Sequence, residues 1–343
     1  MTRIKTRPVA QTGVAVSELS LGSATLAGIF SAVPDEQARA TVAAGIEAGI
    51  TYVDTAPQYG LGRGEHMVGD GLRSRRSGIV LSTKVGRLLK PYRGTETVRG
   101  NWHNPLPFDI VHDYTYDGVM RSYEDSIQRL GIATIDILYV HDIGVMTHGA
   151  EQNFVYWKQL ENGGYRALLD LKKAGLVKAI GLGVNETEVL MDALALGDWD
   201  LFLLAGRYTM LDQTSLSPLL ETCVKRGTSV VAAAPFNGGA LMGAGVWNYD
   251  KAPEAIVKRV RALEAFCKDH KIPIGAAALQ FALTHPAVCS VLTGPRSPAE
   301  VASTMAWWNT EIPASFWRDL VAAKLVEPAT PLPKAARKSP ARH

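Results

Sequence analysis

Four side chains in this 343-residue sequence could together move a proton at a carbon–oxygen bond: Asp54, Tyr59, Lys84 and His141. Asp54, Lys84 and His141 each stand at the end of a short apolar, β-branched run, and Tyr59 follows Asp54 by five residues. A Tyr hydroxyl ordinarily titrates near 10, too high for a base at neutral pH. A neighbouring ammonium stabilises the phenolate, and a carboxylate behind the Lys keeps that ammonium charged and aimed. Bringing the phenol within reach of neutral pH takes about 3–4 kcal/mol of preferential stabilisation, which one close, partly desolvated ion pair can supply. Tyr59 would then pass a proton to or from a substrate oxygen that His141 hydrogen-bonds and orients. With a carbonyl–alcohol couple the remaining step is hydride transfer, which needs a nicotinamide cofactor. A structural Asp–Lys pair beside a core Tyr is the competing reading. His141-Asp142 has no second metal ligand at short spacing, so no metal is expected. His103, His112 and His148 fall in loop contexts and are expected to be solvated rather than ligands.

The elements that must position these groups recur along the chain. Eight runs read as strands: 16–24, 49–56, 78–84, 134–142, 176–185, 200–206, 228–235 and 288–294. They are mostly apolar rather than alternating, as parallel strands buried on both faces must be. Helical periodicity fills the gaps, for instance in DEQARATVAAGIEAG, YDGVMRSYEDSIQRLG, RALLDLKKAG, ETEVLMDALALG, LSPLLETCVKRG and SPAEVASTMAWW. Eight strand–helix units without a linker predict an α/β fold, a closed (β/α)8 TIM barrel, with chemistry at the C-terminal strand ends. Asn185 closes the fifth run and belongs to the same mouth. An open doubly wound sheet is the alternative, but it would carry G-x-G-x-x-G after its first strand, where this chain reads LGSATLAG. Residues 7–17 predict an N-terminal β-hairpin around Thr12-Gly13. Residues 85–116 predict a long irregular loop over the mouth, with Trp102 and His103 facing substrate. The loop at 143–160, with Trp157, is expected to shape the same pocket.

Composition narrows the class. Lys and Arg total 36 against 33 Asp and Glu, and four of the basic residues lie in the last thirteen positions, PLPKAARKSPARH. The rest of the chain is about neutral, which gives no basic face for nucleic acid. We expect one barrel domain over 1–327 and a disordered basic tail over 328–343. Cys223, Cys267 and Cys289 have no metal-ligand spacing and read as buried hydrophobes in a reducing compartment. No apolar run approaches transmembrane length and the N-terminus lacks a signal core. A cytoplasmic protein acting on a small molecule is expected; the oligomeric state has no signal here.

The segments GITYVDTAPQYGLGRGEHMVG, GIVLSTKVG and IDILYVHD carry an Asp, a Tyr, a Lys and a His at a spacing that resembles the aldo-keto reductase superfamily, over roughly residues 7–325. That resemblance implies the barrel, catalytic roles for Asp54, Tyr59, Lys84 and His141, and NAD(P) bound extended across the mouth without a Rossmann domain. AGRYTMLDQ and HDYTYDGVMRSYEDSIQRLG are similar to the D-threo-aldose 1-dehydrogenase (L-fucose dehydrogenase) and pyridoxal 4-dehydrogenase branch, whose members oxidise a ring hemiacetal to a lactone. A reductase of aldehydes or ketones on the same site is the nearest alternative. A cofactor-binding regulatory subunit is a remote one.

Departures from the family pattern bear on the cofactor. Val184-Asn185 stands where the family has Ser-Asn for the carboxamide, so Asn185 keeps that role alone. Ala205 replaces a Gln that would hold the amide, and Ala233 an aromatic that would stack on nicotinamide. Arg207, Tyr208 or Phe236 are the expected substitutes. The phosphates are expected against Phe236, Asn237 and Gly238, and along Gly294, Arg296 and Ser297 where the last barrel helix opens. Glu300 stands where NADP-preferring relatives place Arg; its carboxylate would repel a 2′-phosphate. Arg296 argues the other way, because it could fork onto that phosphate. NAD is the expected cofactor, with NADP the alternative.

Overall fold

The computed structural model describes residues 4–248 and 250–333. Two short strands come first, β1 (Thr6–Pro8) and β2 (Ala15–Ser17), paired antiparallel. They form the expected hairpin, with Gly13 at φ +75° in its turn. Val9, Val14 and Val16 pack with Tyr52, Ile137, Tyr139, Ala179 and Leu201, so the hairpin plugs the N-terminal end of the barrel.

All eight expected runs become strands of one closed barrel. After β3 (Leu19–Gly22) come α1 (Asp35–Glu47), β4 (Tyr52–Asp54), α2 (Arg63–Leu72) and β5 (Val80–Val85). The segment expected to be an irregular loop instead folds into two ribbons. The outer one pairs β6 (Arg87–Pro91) with β9 (Phe108–His112), and between them lies a small pair, β7 (Val98–Arg99) with β8 (Trp102–His103). Next are α3 (Tyr116–Leu130) and β10 (Ile137–His141). The loop expected over 143–160 is largely helical, with α4 (Val145–His148) and α5 (Ala150–Gln159), and Trp157 is half-buried against the core.

The chain continues through α6 (Tyr165–Lys173), β11 (Ala179–Val184), α7 (Thr187–Leu196), β12 (Leu201–Ala205), α8 (Glu221–Arg226) and β13 (Ser229–Ala233). The helix expected from 216 is regular only from Glu221, because Ser217 sits at φ −137°, ψ 135°. A short ribbon, β14 (Val246–Trp247) and β15 (Asp250–Lys251), precedes α9 (Glu254–Asp269) and α10 (Ile274–Ala282). Last come β16 (Val288–Thr293), α11 (Pro298–Trp308) and α12 (Ala314–Ala322). The barrel closes in the order β3-β4-β5-β10-β11-β12-β13-β16, all pairs parallel.

Residues 328–333, assigned above to a disordered tail, instead lie on the barrel. Thr330 is buried and Leu332 packs on the core, since this stretch has apolar side chains to bury and an acceptor, the Glu327 carbonyl, for the Thr330 N–H. The remainder of that expected tail, 334–343, lies outside the described residues. Among the described residues no helix is long and apolar enough to cross a membrane.

Candidate active site

Strand periodicity builds the site in two layers, because residues two apart on a strand face the same side. At the C-terminal mouth stand Asp54, Lys84 and His141; one step down the same faces stand Tyr52, Ser82 and Tyr139. All six are buried. Lys84 Nζ donates to Asp54 Oδ2 at 2.7 Å and to the Thr55 carbonyl at 2.8 Å. The Ser82 hydroxyl donates to Asp54 Oδ1 at 2.6 Å, and Tyr52 Oη lies 3.0 Å from Ser82 Oγ and 2.9 Å from Tyr139 Oη. A charge in a barrel axis would be costly alone; here each Asp54 oxygen has a donor.

Burial is the strongest influence on both members of the ion pair, raising Asp54 and lowering Lys84, while their mutual attraction pulls each back. Tyr59, half-buried on the turn after β4, places its ring 4.6 Å under Lys84 Nζ. The same ring stands edge-on to His141 at 5.7 Å between centroids and lies 5.9 Å from Trp102. The four catalytic candidates and Trp102 therefore meet in one place.

Burial, together with the positive charges of Arg87 and Lys84, holds His141 well below the usual imidazole range. A neutral His141 can donate a hydrogen bond but is a poor proton carrier. Three residues around it were not anticipated. Arg87, 2% exposed, donates from Nη2 to Asp142 Oδ2 at 2.9 Å. Asp142 Oδ2 lies 3.5 Å from His141 Nε2. Tyr114 Oη donates to the His141 carbonyl at 2.8 Å and lies 3.0 Å from His148 Nε2.

His112 and His148, expected in solvent, instead pack edge to face at 4.6 Å, and their rings lie 5.6 and 4.7 Å from that of Tyr156. Burial first, then Arg87, lowers both to about 4; burial does the same to His285. An unfolded His takes its proton near 6.5, so the unfolded chain binds more protons than the native one between about 6.5 and 4. Stability is therefore expected to fall as pH drops through that interval. A thermal midpoint that stays flat there, measured by differential scanning calorimetry, would contradict these burials.

A sequence profile of the Aldo/keto reductase family matches residues 18–324. The chain belongs to the aldo-keto reductase family. Pyridoxal 4-dehydrogenase of Microbacterium luteolum is 44% identical, covering 93% of this chain and 97% of that protein. D-threo-aldose 1-dehydrogenase of a Pseudomonas species is 35% identical, covering 92% and 97%. An aldo-keto reductase from Bacillus halodurans, solved in a holo form, superposes with a TM-score of 0.70 at 23% identity over 96% of this chain and 98% of that one, a likeness of fold. Members of the family are oxidoreductases that use NAD(P)(H).

In this aldo-keto reductase the residues expected around a nicotinamide cofactor divide into two groups. Asn185, half-buried at the end of β11, points its Nδ2 toward Asp142 Oδ1 at 3.5 Å. Its carbonyl accepts from Arg207 Nε at 2.9 Å, and Arg207 Nη1 reaches Asp212 and Asn248. Both remain at the mouth. Gly238, exposed at φ +66° with open space where a Cβ would stand, lets the backbone be approached closely. These positions fit an extended dinucleotide.

Tyr208 does not face the mouth. It is 1% exposed, packed against Phe281 and His285 with Oη 3.2 Å from Thr284 Oγ1, in the layer outside the barrel. The Phe236 ring turns to Trp307 of α11, and Asn237 is pinned by Thr209 and Gly206, so neither presents a side chain to a ring. At α11, Ser297 caps the helix through the Glu300 N–H, and the Glu300 carboxylate accepts from the Arg296 N–H at 2.8 Å. One of the amides expected to meet phosphate is thereby already occupied, while Gly294 and the Arg296 side chain are exposed beside it.

Proposed function

We propose that this aldo-keto reductase oxidises a cyclic hemiacetal, of the aldose or pyridoxal type, to its lactone with NAD. The observation that carries the reading is the buried Lys84–Asp54 pair set directly over the Tyr59 ring, beside a neutral His141. The two relatives named above, a pyridoxal dehydrogenase and an aldose dehydrogenase, favour this substrate class over simple aldehydes.

Tyr59 takes the anomeric hydroxyl proton in this scheme, with Lys84 stabilising the phenolate and Asp54, Ser82 and the Thr55 carbonyl fixing Lys84. His141 donates a hydrogen bond to the same oxygen as its bond order to carbon rises. Bound nicotinamide supplies the hydride acceptor. Asn185 would hold the carboxamide, and the backbone N–H groups of Phe236 and Gly238 and of Gly294 and Ser297 would hold the phosphates, since those of Asn237 and Arg296 are taken by the Ala234 carbonyl and the Glu300 carboxylate. Trp102 forms one wall for the sugar ring. His103 stands at the rim, its N–H bonded to the Gly28 carbonyl.

The test is a panel of L-fucose, D-arabinose, L-galactose and pyridoxal with both oxidised cofactors. At least one should be turned over, with lactone as product. No turnover of any, with aldehydes reduced instead, would replace the reading with that of a reductase. We also expect a higher kcat/KM with NAD than with NADP, because Glu300 keeps a carboxylate at the opening of α11. A tenfold preference for NADP would refute that argument.

A further inference from the structure

We propose that Asp142, clamped by Arg87, is a substrate-binding residue that accepts a hydrogen bond from a second hydroxyl next to the reacting one, and so selects vicinally hydroxylated hemiacetals. The inference rests on the lactone-forming reading above and narrows its substrate class.

The position of the carboxylate carries the argument. Asp142 Oδ2 lies 3.5 Å from His141 Nε2, the atom that would hold the reacting oxygen. Its Oδ1 lies 3.5 Å from Asn185 Nδ2, on the nicotinamide side. Neither distance is that of a well-formed hydrogen bond; Oδ2 has Arg87 as its strong donor and Oδ1 has none, so the carboxylate retains acceptor capacity. The side chain is 19% exposed, whereas the guanidinium behind it is 2% exposed. Behind the carboxylate the buried guanidinium is held by its Nη2 bond to Asp142 Oδ2 and lies beside the Tyr114 hydroxyl. The backbone of Asp142 is held at φ +43°, a conformation that non-glycine residues adopt rarely and that clusters at functional sites.

A reacting carbon would present its oxygen to Tyr59 and His141, and Asp142 stands between His141 and Asn185. A hydroxyl on the neighbouring carbon stands within about 3 Å of the reacting oxygen, a hydrogen-bonding separation, and so comes within reach of the carboxylate. An analogue lacking that hydroxyl leaves Asp142 Oδ1 without a strong donor, and a site built to bond a substrate hydroxyl rejects the analogue that lacks it. A substrate carrying an anionic group there would meet the carboxylate directly.

The experiment compares kcat/KM for L-fucose and 2-deoxy-L-fucose, with NAD, in wild type, Asp142→Asn and the double variant Arg87→Met/Asp142→Asn. The double variant leaves no unpaired guanidinium if the single one is unstable. Wild type should favour L-fucose by at least about 30-fold, and the ratio should shrink to within about threefold in both variants. A ratio unchanged by either folded variant, or a wild-type ratio near one, overturns the proposal. Pyridoxal turned over with neither sugar oxidised also overturns it, while leaving the hemiacetal reading in place. No turnover of these three, of D-arabinose or of L-galactose removes that reading itself.

Discussion

Replacing Tyr59 with Phe should lower kcat by about 10²–10⁴-fold while cofactor affinity stays within about twofold of wild type. That range is what a positioned general acid–base contributes. The substitution isolates the hydroxyl because the turn holds the ring: the Tyr59 N–H bonds the Ala56 carbonyl and the Gly64 N–H bonds the Tyr59 carbonyl. A Phe ring would keep its place between Trp102, His141 and Lys84. Steady-state kinetics paired with a fluorescence titration of NAD separates the outcomes. Unchanged turnover refutes Tyr59 as the proton carrier. Collapse of cofactor binding along with turnover would mean that the hydroxyl holds the cofactor site together rather than carrying the proton.

Lys84→Met should cost both activity and stability, and the two losses should be separable. Asp54 is fully buried, and without the ammonium its carboxylate keeps the Ser82 hydroxyl alone. Leaving one charge of a buried pair uncompensated costs about 3–5 kcal/mol. Burial already raises Asp54, so in the variant the carboxyl escapes by taking up a proton. A folded-state pKa raised above the unfolded value favours folding at low pH and loses that advantage as pH rises through it. The variant's deficit in denaturant midpoint should therefore be larger at pH 8 than at pH 5. Asp54→Asn/Lys84→Met, which buries no charge, should recover most of the stability and none of the turnover. A single variant as stable as wild type at pH 8 would show that the pair is less isolated from water than its burial indicates.

The barrel was legible because its strands are buried on both faces, which leaves apolar runs that stand out from the amphipathic helices between them. What escaped is what depends on contacts distant in sequence. In α2, Gly64, Gly69 and Gly71 weaken the helical signal, yet a Cβ on Gly69 would lie 1.9 Å from the Leu130 carbonyl oxygen, so α3 packs there only against glycine. β6 and β9 pair across a stretch whose prolines and glycines read as disorder of pattern. α9 and α10 are not among the expected helices; two stand between β13 and β16, where the barrel pattern calls for one.

The same division runs through the site. Asp54, Lys84 and His141 could be found as strand ends, and Ser82 by stepping two residues back from Lys84. From sequence Asp142 is weighed only as a metal ligand and set aside, because its partner Arg87 is 55 residues away. Tyr208 follows the end of its strand by three residues, where Asn185 follows by one, and its turn aims it at Thr284. Strand position says which loop a side chain belongs to; the local turn decides where it points.

One wall of the mouth is shared property of two loops. The Phe30 N–H bonds the Asn101 carbonyl, the His103 N–H bonds the Gly28 carbonyl, and Ile29 and Trp102 form an antiparallel bridge. Gly28 sits at φ +96° with the His103 carbonyl oxygen 2.4 Å from where a Cβ would be. The segment after β3 and the excursion after β5 are thus stitched into a single miniature sheet that carries Trp102 to Tyr59. Anyone grafting specificity onto this scaffold from another barrel would have to transplant both segments together, since either one alone arrives without the edge that holds it.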